Sequence, residues 1–312
     1  MMSAANDTTF NYAVFFLSGI PGQEHVYLWI SIPICFVYVI SIVGNSVILF
    51  IIKTDASLHE PMYIFLSMLA ITDLGLSIAT VPTILGIFLF NFREISLDAC
   101  LAQVFFIHSL SFTESAVLLS MAFDRFIAIC DPLRYTSILT PPRIAKMGLV
   151  LMLRGVLVAF PLPFLLKRYR YCRSKILSHS YCLHQEVMKL ACSDITVSSV
   201  YGLFIILGTV GLDSLLILLS YVLILKTVLR ITSHAECLQA LSTCVSHVCA
   251  VLLFYIPVIG LSVLHRFGKS FSPLLQILLG YVYLLVPPLM NPIVYSIKNK
   301  HLRARIIRMF VR

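Results

Sequence analysis

The hydrophobic positions of this chain gather into seven long runs, and polar residues punctuate the gaps. The runs cover residues 27–52, 62–90, 99–130, 143–166, 197–225, 240–264 and 272–297. A helix of ~20 apolar residues crosses a bilayer core while satisfying its own backbone hydrogen bonds. The runs therefore predict seven transmembrane helices, spans 1 to 7. Spans 2 and 3 carry polar residues along their length, as helices facing a bundle interior do. After span 7, Leu302, Ile306, Met309 and Phe310 recur at helical spacing, with Lys300, Arg303, Arg305 and Arg308 between them. That pattern predicts an amphipathic helix over 298–312 lying on a membrane surface. The fold class is an all-α membrane protein, a seven-transmembrane helix bundle with a short amphipathic C-terminal helix. One domain covers 1–312, with no linker, repeat or separate soluble unit, and the only long loop is 167–196.

Composition agrees with the pattern. The chain is 59% hydrophobic and 12% charged, with a mean hydropathy of +0.96. A soluble domain is about 25% charged, so this chain lacks the polar residues to cover a globular surface. The net charge of +9 points to topology and lipid headgroups rather than nucleic acid, because the basic residues sit between apolar runs.

Basic residues set the orientation. The 26 residues before span 1 contain no Lys or Arg. They lack the basic start of a cleaved signal peptide, so span 1 is expected to act as an uncleaved anchor. Arg134, Arg143 and Lys146 follow span 3, Lys226 and Arg230 follow span 5, and Lys298, Lys300, Arg303, Arg305, Arg308 and Arg312 follow span 7. The expected topology has 1–26 extracellular and 298–312 cytoplasmic in a plasma-membrane protein. The 167–196 loop runs against the charge rule, with Lys167, Arg168, Arg170, Arg173, Lys175 and Lys189, yet seven spans put it outside. Asn6-Asp7-Thr8 is a glycosylation acceptor sequence, usable only outside.

Of nine cysteines, Cys35, Cys130, Cys237, Cys244 and Cys249 fall in spans or inside, whereas Cys100, Cys172, Cys182 and Cys192 map to the oxidising side. Four cysteines there suggest two disulfides, with three pairings open.

Several polar residues stand in or beside apolar runs, where lipid makes charge costly and a functional role is the default hypothesis. Asp124 and Arg125 sit together at the end of span 3. Asp73 and Glu114 place carboxylates in spans 2 and 3 with no basic partner in their own spans. Such a pair either shares a proton or binds a cation, and sodium is the natural hard, oxygen-seeking ion. Arg154 and Asp213 also fall within spans and imply inward-facing partners. Arg266 ends span 6 beside His265 and near Lys269. Its planar fork suits a carboxylate, although a helix-end Arg can equally face headgroups. Ser262 lies one turn earlier on the same face. His108 lies about two turns into span 3 from Cys100, where a lone His is often a packing residue.

The motifs together identify a family. Gly44-Asn45, Pro61-Met62-Tyr63, Ala70-Ile-Thr-Asp73-Leu and Ser220-Tyr221 stand at the expected places in spans 1, 2 and 5. Met121-Ala-Phe-Asp-Arg-Phe-Ile-Ala-Ile-Cys130 resembles the olfactory MAYDRYVAIC signature, with Phe123 and Phe126 in place of Tyr. Leu241-Ser-Thr-Cys-Val-Ser-His247 and Pro287-Pro-Leu-Met-Asn291-Pro292-Ile-Val-Tyr295 complete the set. From about residue 10 onward the chain resembles the rhodopsin-like seven-helix receptors, and among them the olfactory receptors. Leu17-Ser-Gly-Ile-Pro21-Gly, Ser178-His-Ser-Tyr-Cys-Leu-His-Gln185 and Gly260-Leu-Ser262-Val-Leu-His265-Arg266-Phe-Gly268 resemble the class I, fish-like subgroup. Gln239 departs from the Lys of many relatives.

The resemblance implies an odorant receptor that binds small odorants, carboxylic acids in particular, and raises cAMP through a Gs/Golf-type G protein. The same scaffold could instead serve as a chemosensor for metabolite acids outside the nose. It implies Cys100–Cys182 and Cys172–Cys192 disulfides. It implies a ligand site of Arg266, Ser262, His108, Gln185, Leu162, Gly202 and Ile206, with Gly202 leaving room for the ligand. It implies sodium at Asp73 and Glu114 in the inactive state. It also implies that Asp124, Arg125, Tyr221, His247, Asn291, Pro292 and Tyr295 transmit the signal, with Pro292 breaking span 7 to permit a local shift. Beyond an ion, no cofactor is expected. An enzyme is disfavoured: His108, His247 and His265 lack H-x-x-x-H spacing, and no Gly-x-Ser-x-Gly elbow occurs. A transporter is disfavoured by the lack of paired broken helices.

Overall fold

The structure is a computed structural model that describes residues 14–20, 22–172, 174–230, 234–267 and 272–311. The side chains of 234–237, 239, 243, 267, 273, 310 and 311 are not among those described, so the expectation on Gln239 falls outside, as do Asn6, Arg173 and Lys269.

Seven helices are long and apolar enough to cross a membrane. They are α1 (Tyr27–Thr54), α2 (Pro61–Phe90), α3 (Leu97–Cys130), α4 (Pro141–Lys167), α5 (Thr196–Val228), α6 (His234–Phe267) and α7 (Pro273–Lys298). Helix α8 (Lys300–Val311) follows. Below, the loop end of the bundle is the one carrying 167–196, and the tail end is the one carrying α8.

Local chemistry sets the helix limits. Pro61, Pro141 and Pro273 open α2, α4 and α7 at the first helical position, where the missing N–H costs nothing. Ser96 caps α3 by accepting from the Ala99 amide at 3.3 Å. Asn91 ends α2 in the left-handed region at φ 51°. α4 turns at Phe160, just before Pro161. α5 carries a π turn over Leu207–Gly211, a local widening of the kind found at functional sites. α7 stays helical through Pro292. The expected break there is therefore corrected: the proline removes one donor from the ladder, and neighbouring helices support the rest.

α3 is the central helix and packs on α2, α4, α5 and α6. Close approach depends on small residues. A Cβ on Gly155 of α4 would collide with the Ser109 carbonyl and the Thr113 hydroxyl of α3, and a Cβ on Gly44 of α1 would sit 3.1 Å from Pro292 of α7. Leu302 of α8 is fully buried and Ile306 and Met309 pack on the core, so this apolar stripe rests largely on the bundle. Arg305 pairs with Asp55 at 2.5 Å.

The loop end carries a small sheet that the hydrophobic pattern did not predict. β1 (Val14–Leu17) pairs antiparallel with β2 (Glu94–Ser96) and parallel with β3 (Ile176–Leu177). Phe15 and Leu17 turn inward and are fully buried. Disulfides join Cys100 to Cys182 and Cys172 to Cys192, with Cα atoms 5.5 and 5.8 Å apart.

Candidate functional site

A cavity of about 70 Å³ lies in the loop half of the bundle among α3, α4, α5, α6, α7 and the long loop. His108, Leu162, Gln185, Gly202, Ile206 and Ser262 all line it, so the fold brings together six of the seven predicted ligand residues. His108 Nδ1–H donates to the Val104 carbonyl at 2.8 Å, and the ring stands edge-on to His184 at 6.3 Å. The remainder of the wall is mainly apolar, with Phe254, Val258 and Leu261 from α6. Ser111 and Tyr283 face it joined by a short hydrogen bond.

The long loop is held over this cavity by more than its disulfide. Gln103 of α3 accepts from the Cys182 amide at 2.8 Å, while its own amide donates to the Ala79 carbonyl at 2.9 Å and the Thr83 hydroxyl at 3.1 Å. A short helix, His184–Lys189, follows. His184 sits 2.8 Å from the Ser198 hydroxyl of α5. Burial, then the neighbouring His108 and Arg266, push its pKa down to about 3, so its ring is neutral. Sequence reasoning missed both Gln103 and His184. The His184-Gln185 step inside the loop motif was the available signal for His184, and nothing in the span pattern marked Gln103.

Arg266 stands at the edge of the cavity rather than in its wall. One guanidinium nitrogen lies 3.6 Å from the point where a Gly202 side chain would begin, and another reaches the Ser199 carbonyl at 3.4 Å. Its Nε is buried without a hydrogen-bond partner, and among the described residues no acidic group pairs with it. Glu186 of the loop is engaged elsewhere: it bonds Lys189 at 2.6 Å and approaches His265 at 3.1 Å.

Deeper in the bundle, Asn291 donates to both oxygens of Asp73, at 3.0 and 3.3 Å. Glu114 is buried with both carboxylate oxygens unbonded. No basic group touches either acid among the described residues. Arg154 and Asp213 find the partners the sequence only implied. Arg154 of α4 donates to Asp213 of α5 at 2.9 Å, and Ser115 of α3 bonds both Asp213 and the Tyr255 hydroxyl of α6 at 2.8 Å. One partly buried charge pair thus ties four helices.

At the tail end Arg125 donates two hydrogen bonds to Asp124, at 2.7 and 3.1 Å. Tyr135, which the sequence did not single out, donates to the other Asp124 oxygen at 2.8 Å. Tyr221 and His247 form a separate relay. His247 Nε2–H donates to the Leu118 carbonyl at 2.9 Å, which leaves Nδ1 to accept from the Tyr221 hydroxyl at 2.6 Å. Tyr295 points to Met121 Sδ at 3.9 Å, and it shares with Arg125 an open cavity at this end.

Seven spans, a disulfide-pinned loop over a small cavity and a buried Asp-Arg pair at the far end define a seven-helix receptor that passes a ligand signal to a G protein. The chain belongs to the olfactory receptor family, whose family model matches residues 34–312. It is similar to three human proteins over nearly their whole length. Olfactory receptor 51G2 of Homo sapiens is 64% identical over 308 residues, covering 99% of this chain and 98% of its own. Olfactory receptor 51G1 is 59% identical over 309 residues, covering 99% and 96%, and olfactory receptor 51A4 is 58% identical over 308, covering 98% and 97%. This is an odorant-sensing receptor of the plasma membrane, crossing it several times, and not an enzyme.

Proposed function

We propose that the odorants are small carboxylic acids and that the G protein is of the Gs/Golf type. The observation that carries the ligand reading is the free hydrogen-bonding capacity of Arg266 at the rim of a largely apolar cavity. A carboxylate there accepts a forked pair from the guanidinium, with Ser262 and Gln185 able to donate to it from the wall, while His108, whose Nδ1–H is committed to Val104, lines the cavity beside it. The alkyl tail lies along Leu162, Ile206 and Gly202. Charge-assisted hydrogen bonds contribute about 1.5–3 kcal/mol and each buried methylene about 0.8 kcal/mol, which suits a short acid at about micromolar affinity. The test is cAMP in cells expressing the receptor with an olfactory-type G protein, across linear acids and their matched alcohols. Acids alone should activate, with one chain length peaking; equal potency of the alcohols would overturn the charge-anchored reading.

The same reading orients the chain with its N-terminus and Asn6 outside and α8 inside, since the basic tail suits the cytoplasmic face. Asp124, Arg125, Tyr221, His247, Asn291, Pro292 and Tyr295 form the switch. Breaking the Arg125–Asp124 pair frees Arg125 toward the cavity it shares with Tyr295. An acid can drive this only by binding the active bundle more tightly. Asp73 and Glu114 fit a sodium ion, because both Glu114 oxygens are hard donors left without a hydrogen-bond partner. Bound there, sodium would offset one of the two negative charges in the resting bundle.

A further inference from the structure

A second cluster stands beside the ligand cavity and serves none of the roles above. His179 comes from the long loop ahead of Cys182, Glu186 from the short helix after it, and His265 from the last turn of α6. Their side chains are 2%, 4% and 1% exposed. One donor atom from each lies within 4.8 Å of the others. His265 Nε2 is 3.1 Å from one Glu186 oxygen, and His179 Nδ1 is 3.7 Å from the other. The two rings stack at 5.5 Å.

The hydrogen bonding of this cluster is incomplete. His265 Nδ1 lies 2.8 Å from the Leu261 carbonyl, which can only accept, so Nδ1 carries the proton and Nε2 is turned to the carboxylate. Yet His265 Nε2 makes no aligned hydrogen bond, and neither does either nitrogen of His179. Buried polar atoms left in this state cost free energy, and folds rarely keep them without a reason. The arrangement differs from a donor facing an acceptor. It matches ligands that aim at a shared centre lying off the line between any two of them. Bonds of about 2.1 Å to a tetrahedral ion separate its ligands by about 3.4 Å; each imidazole nitrogen faces a different Glu186 oxygen, at 3.1 and 3.7 Å, so the carboxylate can serve through either oxygen. The Nδ1–H to carbonyl contact of His265 is the outer-sphere bond that fixes a metal-binding imidazole.

We propose that His179, Glu186 and His265 bind a divalent transition-metal ion of the zinc or copper type, with water completing the sphere. Two imidazoles and a carboxylate suit such an ion, and not calcium or magnesium, which prefer oxygen. Lys189 is the resident competitor: its ammonium lies 2.6 Å from Glu186, but the side chain is 45% exposed and free to swing into solvent. Gly280 of α7 makes the cluster sterically allowed, since a Cβ there would collide with the Tyr181 hydroxyl and press on His179 at 3.1 Å. The ion would link the long loop to α6 one residue before Arg266. The proposal is independent of the ligand's chemistry, because binding is read without any odorant.

The test uses the full-length receptor purified in nanodiscs and titrated with chelator-buffered Zn²⁺. Bound zinc is measured by equilibrium dialysis and the melting midpoint is followed alongside. One zinc ion should bind at about micromolar concentration and raise the midpoint. His179→Gln and His265→Gln should each weaken binding about ten-fold or more. Lys189→Ala should tighten it, because the competing ammonium is gone; a purely structural ion pair would lose stability and gain no metal. Variants are compared only where their midpoint in chelator matches the unmodified receptor, and Lys189→Ala supplies the test if the histidine variants do not fold. Absence of saturable binding below ~100 µM would overturn the site. So would unchanged affinity in both histidine variants, or an affinity that Lys189→Ala leaves the same or weaker.

Discussion

Arg266 of α6 holds a guanidinium nitrogen 3.6 Å from the point where a side chain on Gly202 of α5 would begin. That spacing is ordinary van der Waals contact, so the missing side chain leaves room beside the charge. Gly202→Ala should be tolerated, with a modest loss of potency for the longest acids accepted. Gly202→Leu should fill the space and shift the preferred acid to shorter chains by several methylenes or abolish the response. Dose-response curves over an acid series read the shift directly.

Arg266→Ala should lower acid potency by at least about ten-fold, the equivalent of one lost charge-assisted hydrogen bond. Arg266→Lys should recover part of it, because an ammonium keeps the charge but not the planar fork. Surface labelling controls for expression. An unchanged acid dose response in Arg266→Ala would remove this residue from the site.

Arg154 and Asp213 meet at 2.9 Å inside the bundle. Asp213 is 3% exposed and Arg154 27%, so deleting Asp213 strands a partly buried charge, at less than the ~3–5 kcal/mol of a fully buried pair. Asp213→Leu should therefore sharply lower surface expression and melting midpoint. The double change Arg154→Leu with Asp213→Leu should be milder than Asp213→Leu alone. Equal damage from the double variant would mean that the pair's geometry, rather than its charge balance, holds the helices.

Asp124 is anchored by Arg125 and by Tyr135. Asp124→Asn weakens the Arg125 pair and should raise cAMP without ligand several-fold. Tyr135→Phe should give a smaller rise, since it removes one hydrogen bond of about 1 kcal/mol. Basal cAMP normalised to surface receptor is the measurement.

If Asp73 and Glu114 hold sodium, raising extracellular sodium at constant ionic strength should increase the acid concentration needed for half activation. Asp73→Asn should remove that dependence. A shared proton in place of the ion predicts no sodium effect in either receptor.

Much of this protein was legible in its residues. The seven runs of apolar side chains determined the seven spans, with ends within a few residues of the helices except at the start of α6, because lipid admits little but self-bonded helix. The Asp124-Arg125 pair and six of the cavity-lining residues were also readable, the latter only through motif resemblance. The strand Val14–Leu17 was not, because its partners lie about 80 and about 160 residues away and a short strand has no periodicity of its own. Pro292 read as a break, yet packing kept α7 helical across it. Arg154 and Asp213 were visible as costly charges, but only the packing of α4 on α5 decided that they pay for each other. The cluster of His179, Glu186 and His265 was silent as well, since its members become neighbours only when the loop closes on α6. Sequence alone determined what must be buried in lipid, for hydropathy acts residue by residue. The tertiary structure decided which buried polar groups meet, because hydrogen bonds and ion pairs are short-ranged and directional and exist only where the fold brings two atoms within about 3 Å.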